Sequence, residues 1–157
     1  CPYQYNEIIT NNHLTGVDYM DTNNISIKKD LSCKDFQGQV EEVLIRHKSI
    51  LDIITKLDEY TSRINRAVIK SVTSCGCIEI KATKQDYSKD SLEEIKNNMK
   101  NHVEGKLCPS CEEIIQEEIG AYLFYLAALC NALDMDMSDA LLREYSNIKA
   151  LGIFSLK

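Results

Sequence analysis

The sequence predicts an all-α fold, a helical bundle of about four helices in which a four-cysteine knuckle joins two of them. Three observations carry this. Apolar residues recur at spacings of three, four and seven over long stretches. Gly and Pro are scarce, at six and two of 157 residues, and Trp is absent, a composition poor in the turns that a many-stranded fold needs. Four cysteines stand in two close pairs, Cys75-Gly76-Cys77 and Cys108-Pro109-Ser110-Cys111, each at a boundary between predicted elements. One domain is the default at this length, and such a chain buries a core without needing a metal to compensate for small size.

The elements follow in chain order. Residues 1–31 have mixed polarity, with turn signals at Asn11-Asn12, Thr15-Gly16 and Asp21-Thr22-Asn23-Asn24. They predict a partly ordered N-terminal arm with a short apolar contact through Ile8, Ile9 and Leu14. The helical domain is predicted over 32–157. From Asp35 to Ser74 the apolar positions Val40, Val43, Ile50, Ile54, Leu57, Ile64 and Val68 mark one helical stripe. Asp35 reads as its N-cap. Polar residues over Asp58–Thr61 interrupt the stripe and predict a kink or break there. His47 lies on the stripe and reads as a buried, hydrogen-bonded histidine.

Ile78-Glu79-Ile80-Lys81-Ala82 alternates, which predicts a single strand or an extended link. Asp90-Ser91-Leu92-Glu93 reads as a helix start. Leu92, Ile95, Met99 and Val103 continue that helix, and Gly105 ends it as a C′ residue. Ser110-Cys111-Glu112-Glu113 reads as a capping box. It opens the most apolar helix, from Cys111 to about Leu133, which is expected to be central in the bundle. Asp136 or Ser138 caps a last helix that stops near Gly152.

The net charge of −6 argues against a partner bound through neutralised phosphates, so no nucleic acid is expected. It is compatible with divalent cations, small ligands or protein partners. No run of about 18 apolar residues is present, so no membrane span is expected. The first residues lack the basic and apolar regions of a signal peptide, which points to a cytoplasmic protein. Seven cysteines in such a chain read as a metal site plus scattered buried thiols, with a disulfide between the two pairs as the reading for an exported protein.

Two tight cysteine pairs brought together form a four-thiolate cage for a soft metal. Gly76 lets the backbone turn sharply between two ligands. Cys111 falls in the first turn of a helix, whose N-terminus favours a thiolate. Structural zinc on Cys75, Cys77, Cys108 and Cys111 is the leading expectation, and an iron–sulfur cluster is the second. A C-x-x-C at a helix start is also the thiol redox arrangement, although no convincing strand precedes this one. His102 stands close enough in sequence to Cys108 to replace a cysteine ligand. Cys130 lies on an apolar helix face and reads as a core residue. Cys33 carries no assigned role, and His13 lies in the arm.

The segment from Gln116-Glu117-Glu118-Ile119-Gly120-Ala121 through Tyr122-Leu123-Phe124-Tyr125-Leu126, followed by Leu133-Asp134-Met135-Asp136, resembles the MazG-type all-α nucleoside triphosphate pyrophosphohydrolases. In that family a helix reads like E-E-x-x-D-V-L-F-Y-L and faces an E-x-x-E pair on a neighbour. The resemblance implies magnesium held by clustered carboxylates, which suit a hard cation and activate water. It places Glu117 and Glu118 at the acidic pair and Glu59 at the first Glu of the other motif. Ala121 stands where the family has Asp, and Ser62 where it has the second Glu. Residues 33–157, with C-G-C and C-x-x-C, also resemble a small family of uncharacterised proteins from anaerobic Gram-positive bacteria that is sometimes labelled MazG-like. From the residues alone, Glu112, Glu113, Glu117 and Glu118 also read as a solvated helix face with favourable charge near the N-terminus.

Three functional expectations result. The first is a zinc-stapled helical binding or regulatory protein, a catalytically degenerate MazG-like protein and homodimeric through its long stripe from Val40 to Val68. The second is a magnesium-dependent nucleoside triphosphate pyrophosphohydrolase with a diverged acidic site and a nucleotide ligand. The third is an iron–sulfur or thiol redox sensor built on the same four cysteines.

Overall fold

The computed structural model describes residues 31–155, so nearly all of the expected N-terminal arm, with Ile8, Ile9, His13 and Leu14, lies outside the described residues. Among the described residues the fold is all-α, with five α-helices and one two-stranded sheet. Helix α1 spans Cys33–Val43. Its N-cap is Ser32 rather than Asp35. The Ser32 hydroxyl accepts a hydrogen bond from the Asp35 N–H at 3.1 Å and donates to the Asp35 carboxylate at 2.6 Å. Asp35 therefore sits inside the first turn, where its charge favours the helix N-terminus.

The break in the long stripe falls at 44–49, not at Asp58–Thr61. Helix α2 runs uninterrupted over Ile50–Lys70. The polar residues are absorbed within it, because the hydroxyls of Thr61 and Ser62 donate to the carbonyls of Leu57 and Asp58, at 2.9 and 3.1 Å. The connection instead turns through His47, which adopts a positive φ of 57°. His47 is consequently exposed rather than buried, with Nδ1 3.9 Å from the Asp52 carboxylate.

α2 continues into a π-helical turn, Ser71–Cys75, which closes on Gly76 in the left-handed region at φ 72°. Strand β1, Ile78–Ile80, pairs antiparallel with β2, Val103–Gly105, so the alternating segment is a strand. Between them lies α3, Leu92–Asn98, with the Ser91 hydroxyl accepting from the Glu94 N–H at 3.2 Å. The apolar spacing predicts that α3 reaches Val103 and ends at Gly105. It stops earlier because Met99 turns extended and His102 takes a φ of 59°, which aligns Val103 opposite Ile80 and Gly105 opposite Ile78.

Helix α4 spans Pro109–Ala132, with Cys108 as N-cap and Pro109 at the first position, where its missing N–H is not needed. The expected capping box is not made, because Ser110 already lies inside the helix. Helix α5, Met137–Leu151, starts at Asp136, whose carboxylate accepts from the Ser138 N–H at 2.7 Å, and ends at Gly152.

The antiparallel pair α2/α4 is the backbone of the fold, α1 packs on α4, and α5 packs on α1. Ile53, Leu57, Tyr60, Ile64 and Ala67 form the inward face of α2 at alternating steps of four and three, and Ser71 continues it into the π-helical turn. The core gathers Val40, Ile53, Ala127, Ala128, Cys130 and Met137, with Cys33, Phe36, Leu44 and Leu57 packed against it. Cys130 is thus the core residue its helix face predicts. Gln37 locks three helices at once. Its amide donates to Asn131 Oδ1 at 2.8 Å and to the Met135 carbonyl at 2.7 Å, and accepts from the Met137 N–H at 2.8 Å.

Candidate metal centre

The two cysteine pairs converge where the end of α2 meets the start of α4. Cys75 closes the π-helical turn, and Gly76 reverses the chain to bring Cys77 back beside it. The reversal is held by the Cys77 N–H and thiol, both directed at the Ser71 carbonyl, at 3.2 and 3.6 Å. Ser71 itself is fully buried, its hydroxyl donating to the Val68 carbonyl at 2.6 Å. From the other side, Cys108 caps α4 and Cys111 lies one turn into it.

All four Sγ atoms lie within 4.8 Å of one another. Cys75 Sγ and Cys108 Sγ are 3.7 Å apart. Four sulfurs placed tetrahedrally at ~2.3 Å around one ion stand about 3.8 Å apart, so the cage already has nearly the size of a one-ion site. None of the six described cysteines is in a disulfide. Cys111 is buried and the other three cage cysteines are half-buried, which limits access of water to the donors.

The electrostatics of the thiols differ by position. Cys108 is lowered to about 7, first by the Cys111 backbone N–H at the helix start and then by the Cys111 thiol. Burial pushes the Cys111 thiol up, and the neighbouring sulfurs add to the rise. Four thiolates packed this closely repel one another, and a bound cation is what lets all of them ionise together.

A backbone clasp outside the cage sets the position of Cys77. Gly105 adopts φ +88°, and a Cβ there would stand 2.7 Å from the Cys77 carbonyl oxygen. Only glycine lets β2 approach the ligand-bearing turn so closely. Gly105→Ala is expected to cost about 2–3 kcal/mol from backbone strain and the clash. It should also weaken metal retention against a chelating dye. Urea unfolding and metal-transfer kinetics on the same sample check both.

His102 does not join the cage. It precedes β2 and lies 3.3 Å, through Nε2, from the Thr83 hydroxyl. Of the carboxylates singled out by sequence, Glu59 and Glu118 pair with cations instead. Arg63 grips Glu118 with two hydrogen bonds, Nε to Oε2 at 2.7 Å and Nη2 to Oε1 at 2.9 Å. Glu118 is buried, so this pairing compensates its charge. Glu59 lies 3.6 Å from Arg63 and 2.6 Å from Lys56. Arg63 also sits 5.1 Å over the Tyr60 ring, which stacks on Tyr125. Glu117 is exposed. Among the described residues, the four cysteines are the group of Cys, His, Asp and Glu whose ligand atoms converge closely enough to hold an ion.

The Arg63–Glu118 pair and the Gln37 clasp escape sequence reading, because their partners stand 55 and 94 residues apart. Gly105 is legible in the sequence as a special glycine, but local pattern puts it at a helix end, whereas it closes β2. Comparison with protein-family models, with curated proteins and with solved structures finds no match for this chain.

Proposed function

We propose that this chain is a non-catalytic helical binding or regulatory protein in which a structural zinc ion staples α2 to α4. The observation that carries the reading is the convergence of four cysteine sulfurs within 4.8 Å at the junction of those helices. A complete set of four protein donors leaves no open position for a substrate or water, which is the pattern of structural rather than catalytic zinc. The spacing supports one ion over an iron–sulfur cluster, whose several metal atoms hold their thiolates further apart. A reducing compartment suits such a site, in keeping with a cytoplasmic location. No helix among the described residues is long and apolar enough to cross a membrane.

Elemental analysis of the purified chain is expected to give one zinc per polypeptide and a colourless solution. Iron in stoichiometric amount with visible absorption near 400 nm would replace this reading with the redox one. Absence of both metals would remove it.

The pyrophosphohydrolase reading asks Glu59, Glu117 and Glu118 to hold magnesium, while Arg63 and Lys56 already compensate Glu59 and Glu118. Magnesium would have to displace a guanidinium that is bound bidentately, at a cost that weakens the site. The expected result is therefore no release of pyrophosphate from a panel of nucleoside triphosphates with magnesium above that of a Glu118→Gln control. Activity that disappears in that variant would restore the enzymatic reading.

A further inference from the structure

α2 changes its hydrogen-bond register just before the cage. The Ser71 N–H still bonds the Ala67 carbonyl, four residues back, as in any α-helix. The Gly76 N–H instead reaches the Ser71 carbonyl, five residues back. The Cys77 N–H joins it there at 3.2 Å. One carbonyl thus collects both main-chain donors of the step that carries the chain from Cys75 to Cys77.

The widening decides where two ligands point. Four α-helical steps would carry Cys75 about 40° past the direction of Ser71, which faces inward and is fully buried. A turn that closes over five residues needs more than four to complete a circle, so in the π-helical turn Cys75 stops short of that direction. In this rotation Cys75 Sγ stands 3.7 Å from Cys108 Sγ at the start of α4. In an unbroken α-helix the Ser71 carbonyl would take the Cys75 N–H, and the Gly76 N–H would bond Val72. Cys77 would then lose its anchor on Ser71.

No proline in α2 forces the change. What marks the place is the Ser71 hydroxyl, which donates to the Val68 carbonyl at 2.6 Å. In an α-helix that carbonyl belongs to the Val72 N–H, so a side-chain donor there loosens the ladder where it widens. Back-bonding by itself does not widen a helix, because Thr55, Thr61 and Ser62 do the same within regular α2. Ser71 differs in two ways. Those three residues are exposed and bond the carbonyl four residues back, whereas Ser71 is sealed from water and bonds the one three back. Its hydroxyl therefore has no competing partner in solvent. We propose that Ser71 is a positioning residue for the metal, its buried hydroxyl holding α2 in the widened turn that aims Cys75 and Cys77 at Cys108 and Cys111. This rests on the structural-zinc reading and adds that a helix irregularity, not the four ligands alone, builds the site.

Ser71→Ala tests this, since it removes the hydroxyl and leaves every ligand in place. Alanine is the better helix former, so the metal-free variant should resist urea as well as the metal-free wild type or better. Its zinc affinity, read by competition with a chromophoric chelator on the full chain, should fall by about 10–100-fold, the range for groups that orient metal ligands. With cobalt in place of zinc, the visible bands of the tetrahedral four-sulfur site should shift and weaken. Thr61→Val, which removes an exposed back-bond far from the cage, should change neither readout. Unchanged zinc affinity in Ser71→Ala overturns the proposal. So does a loss of affinity matched by an equal loss of metal-free stability with a wild-type cobalt spectrum, which would give Ser71 a purely structural role. A wild type that takes up neither zinc nor cobalt removes the zinc reading and this inference together, whereas tight binding by both wild type and Ser71→Ala removes the inference alone.

Discussion

Stripping the metal from the reduced protein with a strong chelator is expected to lower its Tm by about 10–15 °C. An ion that binds only the folded state, at 1,000 times its Kd, stabilises by about 4 kcal/mol. In a domain of this size each kcal/mol corresponds to ~2–4 °C. The loss should be concentrated rather than uniform. Residues 76–107 hang on the cage, α3 has no buried residue, and every residue of β2 is exposed. Apart from Ile78 and the Gly105 clasp, little apolar burial holds that segment to the helices. Hydrogen exchange should therefore show 76–107 exchanging freely in the stripped protein while α2 and α4 stay protected near Ile53 and Ala127. Cys111→Ser should reproduce the effect, since Cys111 is the buried ligand. Acidification should act in the same direction, because protons compete with the cation for the thiolates. Identical melting and identical exchange with and without chelator would show that the cage bears no metal of structural weight.

The second large effect lies at the opposite end of the α2/α4 pair. Ile53→Ala is expected to destabilise the protein by about 2–5 kcal/mol, the range for truncating a fully buried aliphatic side chain. Ile53 is 1% exposed and packs with Ala127 and Ala128, whose small side chains bring α4 close and leave nothing able to fill the cavity. Leu51, two residues earlier and 73% exposed, is the internal control, and Leu51→Ala should change stability by less than about 0.5 kcal/mol. Urea unfolding of both variants at equal metal content measures the contrast. Similar losses for the two would place the face of α2 wrongly.

That contrast also shows what periodicity could convey. The stripe at Ile50, Ile54 and Val68 follows helical spacing, and so does the stripe at Ile53, Leu57, Tyr60 and Ile64. Both are apolar, and spacing alone does not say which one faces α4. Ile53 becomes core because Ala127 and Ala128 stand opposite it. The break between α1 and α2 falls at 44–49, away from the polar stretch, for a related reason. Polarity at Asp58–Thr61 resembled an interruption, but hydroxyl back-bonding and the Tyr60–Tyr125 stack keep that stretch inside the helix. The chain turns instead at His47, a residue type that tolerates the left-handed region. Glu117 and Glu118, adjacent in sequence, take opposite environments because consecutive helical residues differ by 100°. One faces solvent and the other faces Arg63.

The sequence by itself determined the helical class, the order of most elements and the identity of the four cage cysteines. Those rest on local physics: apolar spacing, Gly76 between two ligands, and a helix start at the second pair. Tertiary structure alone decided the rest. It closed the four sulfurs to within 4.8 Å, turned Val103–Gly105 from helix into strand, and gave Glu118 to Arg63. Each depends on groups distant in the chain meeting in space. Their energies come from pairing and burial, to which a local pattern is blind.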